Sequence, residues 1–138
     1  MAKLRIIIDA NVLISGIVFG GKPRRLLDLL SEDALVVVIA EEMLTEVRRK
    51  IVLKFPDFIE DYNRVEKLLK RDCIIVRLGS AQVKISRDPD DDKYIEAALL
   101  GHCNYIITGD NDLLVIGQYE NIGMIKPADF LKQFRHKD

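Results

Sequence analysis

The sequence predicts a three-layer α/β/α domain built around a central parallel sheet of about five strands. Three observations predict it. Short apolar runs alternate with longer amphipathic stretches along the chain, which is the order of a parallel sheet with helical crossovers. The runs are apolar throughout, without polar alternation, as expected of strands covered on both faces. With 138 residues the chain has the size of one domain, residues 1–138, and is long enough to bury a core.

The elements follow in order. Leu4–Ile8 reads as the first buried strand. After Asp9-Ala10-Asn11, the residues Val12, Leu13, Ile14, Ile17 and Val18 predict a helix that Gly20-Gly21 breaks. Pro23 suits the first turn of a second helix, expected to run to about Ser31. Ala34–Ala40 is short and rich in valine, a second strand. Glu41 to Phe55 carries Met43, Leu44, Val47 and Ile51 at core spacing, and Pro56 stops it. Asp57 is placed to cap a further helix with Phe58, Ile59, Tyr62, Val65, Leu68 and Leu69 on its inner face. Cys73–Val76 predicts the third strand, and a polar connection follows in which Val83-Lys84-Ile85 is briefly extended. A helix from Asp92 to a C-cap at Gly101, a fourth strand at Asn104–Thr108, a fifth at Ile122–Ile125 and a last helix from Pro127 complete the chain. Crossovers between parallel strands should be right-handed.

Composition narrows the function. Hydrophobic residues make up 49% and charged residues 31%, ordinary for a globular domain. No apolar run approaches the roughly 18–20 residues of a membrane span, and the first residues enter a strand pattern without a cleavage motif, so a cytoplasmic location is expected. A net charge of −1 gives no global basic footprint for duplex nucleic acid. Cys73 and Cys103 lie far apart without a CxxC pattern, which predicts two reduced thiols and argues against zinc.

The informative feature is a set of acids at element ends. Asp9 follows the first strand, Asp110 follows the fourth, Asp92 opens a helix, and Glu46 sits in the helix after the second strand. In a parallel sheet such ends gather beyond the carboxyl edge, where strand order reverses. Carboxylates collected there repel one another unless a cation joins them. Oxygen donors of this kind suit Mg2+ or Mn2+, with a substrate phosphate completing the shell, and such a site can hydrolyse phosphodiesters.

Each acid also has a structural reading. Asp9 could cap the following helix, Glu46 could be a solvated helix residue, Asp88-Pro89-Asp90-Asp91-Asp92 has turn and cap chemistry, and Asp110 and Asp112 could form an Asx turn and cap around Asn111. Either Asp91 or Asp92 could carry the third carboxylate. Spacing to Ile95 and Ala98 is taken to select Asp92.

Ile8-Asp9-Ala10-Asn11-Val12-Leu13-Ile14-Ser15, Glu41 to Val47 with Glu46, Asp92 to Leu99, and Ile107-Thr108-Gly109-Asp110-Asn111-Asp112-Leu113-Leu114 together resemble the PIN-domain nucleases over roughly residues 4 to 130. Ala10 departs from the threonine or serine common in that family. The stretches Arg87–Asp92 and Thr108-Gly109-Asp110 look most like the prokaryotic branch of toxins from toxin–antitoxin systems. The resemblance implies a strand order of 3-2-1-4-5, a Mg2+- or Mn2+-dependent endoribonuclease leaving 5′-phosphate and 3′-hydroxyl ends, a homodimer and an inhibitory antitoxin. It also implies that Asp9, Glu46, Asp92 and Asp110 hold the metal and that Asp112 assists as an outer ligand or water activator. Asn11 and Thr108 are implied to orient carboxylates or touch phosphate, with a turn role as the structural alternative.

Candidate phosphate binders are Lys22, Arg24, Arg25, Arg48, Arg49 and Lys50, though for each a solvated helix face is the commoner role. A phosphorylatable receiver module would need an acceptor aspartate after the third strand, which is missing. A haloacid-dehalogenase-type phosphatase would need a second aspartate where Asn11 stands. The more serious alternative is a domain of the same fold that binds RNA or protein without cutting.

Overall fold

The computed structural model describes residues 3–29, 32–79 and 89–135. Six strands form one sheet in the order β3-β2-β1-β4-β6-β5. These are β1 (Leu4–Ile8), β2 (Leu35–Ala40), β3 (Ile74–Val76), β4 (Tyr105–Ile107), β5 (Gln118–Tyr119) and β6 (Ile122–Ile125). All neighbours are parallel except β5 and β6, a small antiparallel hairpin at one edge. The five parallel strands therefore lie in the expected 3-2-1-4-5 order. The extra strand is two residues long, and its Glu120-Asn121 turn lacks the Asn-Gly or Asp-Gly signal that marks hairpins in sequence.

Strand β1 occupies the centre, in register with β2 through Ile6↔Val37 and with β4 through Ile7↔Ile106. Ile6, Ile7 and Ile8 are buried, because helices cover both faces. Helix α5 (Pro89–Leu100) packs across β1, β2 and β4. Helix α1 (Ala10–Val18) packs on α2 (Gly21–Asp28) and α3 (Glu41–Lys54). Helix α4 (Ile59–Asp72) lies against α3, and α7 (Pro127–Arg135) against α2. A short α6 spans Asn111–Leu114.

Several sequence expectations shift. Asp57 does not cap α4: a single 3-10 turn, Pro56–Phe58, leads into the helix, and its first residues carry no side-chain cap. Helix α5 starts at Pro89 rather than Asp92, since proline needs no partner for its missing N–H in a first turn. At its other end His102, not Gly101, takes the left-handed conformation, with φ of 53°. His102 N–H donates to Leu99 O and Cys103 N–H to Ala98 O, at 3.2 and 2.8 Å, which is a Schellman closure. Gly101 has a different reason to be glycine: a Cβ there would stand 2.6 Å from Val38 Cγ1 of β2. Both cysteines are unbridged. The expected extended segment Val83–Ile85 lies outside the described residues. Among the described residues no helix is long and apolar enough to cross a membrane.

Candidate metal centre

Strand order reverses between β1 and β4, and the acids collect there. Asp9 follows β1 and caps α1, its Oδ1 accepting from Asn11 N–H at 2.9 Å. Its Oδ2 accepts from the Thr108 hydroxyl at 2.7 Å, across the β1/β4 seam. The same Thr108 oxygen accepts from Asp110 N–H at 2.9 Å, and Asp110 Oδ1 accepts from Asp112 N–H at 2.7 Å. Thus Asp9 and Asp110 are both caps, as their structural reading held, and both present a carboxylate to the same crevice. Asp9, Asn11, Ser15, Asp110 and Pro127 line an open cleft of ≈ 330 Å3 there.

Asp91, Asp110 and Asp112 each offer one carboxylate oxygen, and these three atoms lie within 4.8 Å of one another. Of the two aspartates that the sequence left open, Asp91 is the one in this group. The reason is helical spacing. With α5 beginning at Pro89, Asp91 shares a face with Ile95 and Ala98 at i+4 and i+7. Asp92 is also buried but stands about 100° further round the helix.

Glu46 emerges from α3 half-buried, and its two oxygens go to two lysines. Lys93 Nζ of α5 is 2.5 Å from Oε1, and Lys50 Nζ, one turn on, is 3.2 Å from Oε2. Lys50 also donates to Asn11 Oδ1 at 3.3 Å. The Tyr94 hydroxyl accepts from Ala10 N–H at 3.3 Å and faces Glu46 Oε1 at 3.5 Å. Lys93 and Tyr94 were not singled out from sequence. Their only signal is position: they follow the acidic run by one and two residues on a helix that faces β1.

The electrostatics separate these acids. Burial pushes the Asp9 carboxyl above its usual range, and the charges of Asp110 and Glu46 add to that. The hydrogen bonds from Thr108 and Asn11 oppose it. Burial would also raise Glu46, but Lys93 and Lys50 outweigh it and hold that carboxyl below its usual range. Tyr94 is driven strongly upward by burial and by Asp9, Glu46 and Asp91, so it stays a neutral hydroxyl.

Of the basic residues considered from sequence, Lys50 reaches the site. Arg48 instead pairs with Glu66, donates to Asn63 and lies over the Tyr62 ring. Arg24 donates to the Gly16 and Ile17 carbonyls. Lys22 and Arg25 line a separate groove of ≈ 800 Å3 between α2 and α7.

Carboxylate donors without nitrogen or sulfur, three of them close enough to share one ion, fit Mg2+ or Mn2+ rather than zinc. Comparison with known proteins agrees with this architecture. The family model described as PIN domain matches residues 5–112, a span that contains every acid named above. The chain belongs to the PIN-domain family. Among solved structures it is similar to a chain of the crystal structure of VapBC2 from Rickettsia felis bound to a DNA fragment from their promoter, with a TM-score of 0.62. Identity is 12% over 89% of this chain and 98% of that one, so the likeness speaks to the fold. No curated protein matches the sequence.

Proposed function

We propose that this protein is a Mg2+- or Mn2+-dependent endoribonuclease and the toxin of a toxin–antitoxin pair. The observation that carries the reading is the meeting of Asp91, Asp110 and Asp112 beside Asp9 at the β1/β4 seam. Asp9, Glu46, Asp91 and Asp110 are the proposed ligand set, with Asp112 in a supporting role. Asn11 and Thr108 fix the orientation of Asp9. When bound, the metal supplies Lewis acidity that offsets charge on the phosphoryl oxygens and makes water a better acid.

The chain's own groups would do the rest. The crevice is open on one side, so a strand of RNA can lay a phosphate against the acids. Asp112, half-buried two residues beyond Asp110, would accept a proton from the attacking water. Water as nucleophile needs no 2′-hydroxyl attack. The described histidine, His102, sits exposed in the turn after α5, away from the acids. With the P–O3′ bond breaking and the 3′ oxygen leaving as a hydroxyl, the products would carry 5′-phosphate and 3′-hydroxyl ends, as the family resemblance implies.

The Rickettsia felis VapBC2 complex supports looking for a small protein partner that covers this crevice. A homodimer and a cytoplasmic place of action belong to the same reading. The test is cleavage of structured and single-stranded RNAs by the purified protein with Mg2+, Mn2+ or EDTA, with end-group analysis of the products. Metal-dependent cutting that leaves 5′-phosphates is the expected result. A 2′,3′-cyclic phosphate would sink the water mechanism. An absence of cutting by monodisperse protein would favour the RNA-binding or protein-binding module.

A further inference from the structure

Two ammonium groups share one carboxylate at the mouth of the acidic crevice. Lys93 approaches Glu46 from α5 and Lys50 approaches it from α3, each on its own oxygen. Lys50 also donates to the neutral Asn11 Oδ1 at 3.3 Å, and Lys93 lies over the Tyr94 ring. Like charges held this close repel, and a further anion between them would relieve the repulsion.

We propose that Lys50 and Lys93 are the phosphate-binding pair of this site, resting on Glu46 until RNA arrives and then engaging the non-bridging oxygens of its backbone. The proposal rests on the nuclease reading and names residues for its substrate contact. Arg48 is committed to Glu66 and Tyr62, Arg24 to two carbonyls of α1, and Arg77 to Glu41. Among the described residues, Lys50 and Lys93 are the ammoniums hydrogen-bonded to the acids' own network. Lysine suits an exchange of partners, being a point charge on a flexible stem rather than a rigid two-pronged donor. Both side chains keep part of their surface in solvent, 33% for Lys50 and 26% for Lys93, so a backbone phosphate can reach them.

The geometry also accounts for binding by a chain with a net charge of −1. Acids that repel RNA line the floor, and a local positive pair at the rim gives the phosphate a place to land. Such contacts add affinity without reading bases, and each adds to the salt dependence.

The test is equilibrium binding of a short, end-labelled single-stranded RNA, with Ca2+ replacing Mg2+, as a function of salt. The variants are Lys50→Met, Lys93→Met, the double variant, and Lys93→Arg. Thermal melting and Mn2+ binding report whether fold and acids are intact. Each methionine variant should weaken binding several-fold on every sequence and lower the log–log salt slope by about 0.7. The double variant should lose about twice that slope, and Lys93→Arg should keep most of the affinity. Methionine variants that fold, bind Mn2+ and hold RNA with wild-type affinity and slope would overturn the pair while leaving the nuclease reading intact. A wild-type protein that neither binds nor cuts RNA would overturn both.

Discussion

Asp9 and Glu46 face one crevice yet titrate in opposite senses. Asp9 is held high by burial, so its contribution to stability is complete below an ordinary carboxylate value of about 3.9 and is lost as pH rises through its folded value. Glu46 is held low, so its contribution is present above about 4.3 and lost as pH falls. At neutral pH without metal, ionised Asp9 is a net cost. Asp9→Asn should therefore melt a few degrees higher than wild type in EDTA while cutting no RNA, and the gap should narrow toward pH 5. Calorimetry at the two pH values checks this; a variant melting below wild type at pH 7 would contradict it. The one-residue choice in the acidic run is equally direct. Asp91→Asn should abolish Mn2+ binding measured by titration calorimetry, and Asp92→Asn should leave most of it. The placement of Asp91 was legible in the sequence: Asp91, Ile95 and Ala98 stand at i, i+4 and i+7 of a helix that begins at Pro89.

At the scale of elements, buried strands were legible because β-branched apolar runs have few other homes. β2 and β6 appear close to where their composition puts them. What escaped were pieces too short to carry a period: the two-residue β5 and the one-turn α6, whose Asp110 and Asp112 read as turn chemistry. The end of α5 shows a second kind of blindness. A glycine after a helix suggests a left-handed cap, yet here the strained backbone belongs to His102 and the glycine makes room for Val38. Two substitutions separate these roles. His102→Gly should stabilise the protein by about 1 kcal/mol, since a side chain in that region is disfavoured. Gly101→Ala should destabilise it by roughly 1–3 kcal/mol, because buried Val38 has little room to move. Denaturant titration measures both, and equal effects of the same sign would refute the division.

For the whole molecule, the site and the sheet centre are one object: acids from the β1 end, α5 and the β4 exit gather at the end of the central strand. A ligand for that group should therefore stabilise the entire fold. Mn2+ at a hundredfold excess over its dissociation constant should add about 2.7 kcal/mol. That corresponds to several degrees in Tm for a domain of this size, and EDTA should reverse it. Asp91→Asn should show no such shift. An equal shift in that variant would mean the ion binds elsewhere.

The hydrogen bond from Thr108 to Asp9 spans ninety-nine positions of the chain, and that separation imposes a timetable. Synthesis delivers residues in order, at about 5–20 per second. A nascent chain that has formed β1, β2 and β3 carries Asp9 and Glu46, but β1 still has an open side and neither Asp110 nor Asp112 has been made. The carboxylate group closes only when β4 docks beside β1 and Asp110 and Asp112 have followed it. On the proposed nuclease reading, the nascent chain would be inert toward the RNA around it until that moment, with no further device than the order of its strands.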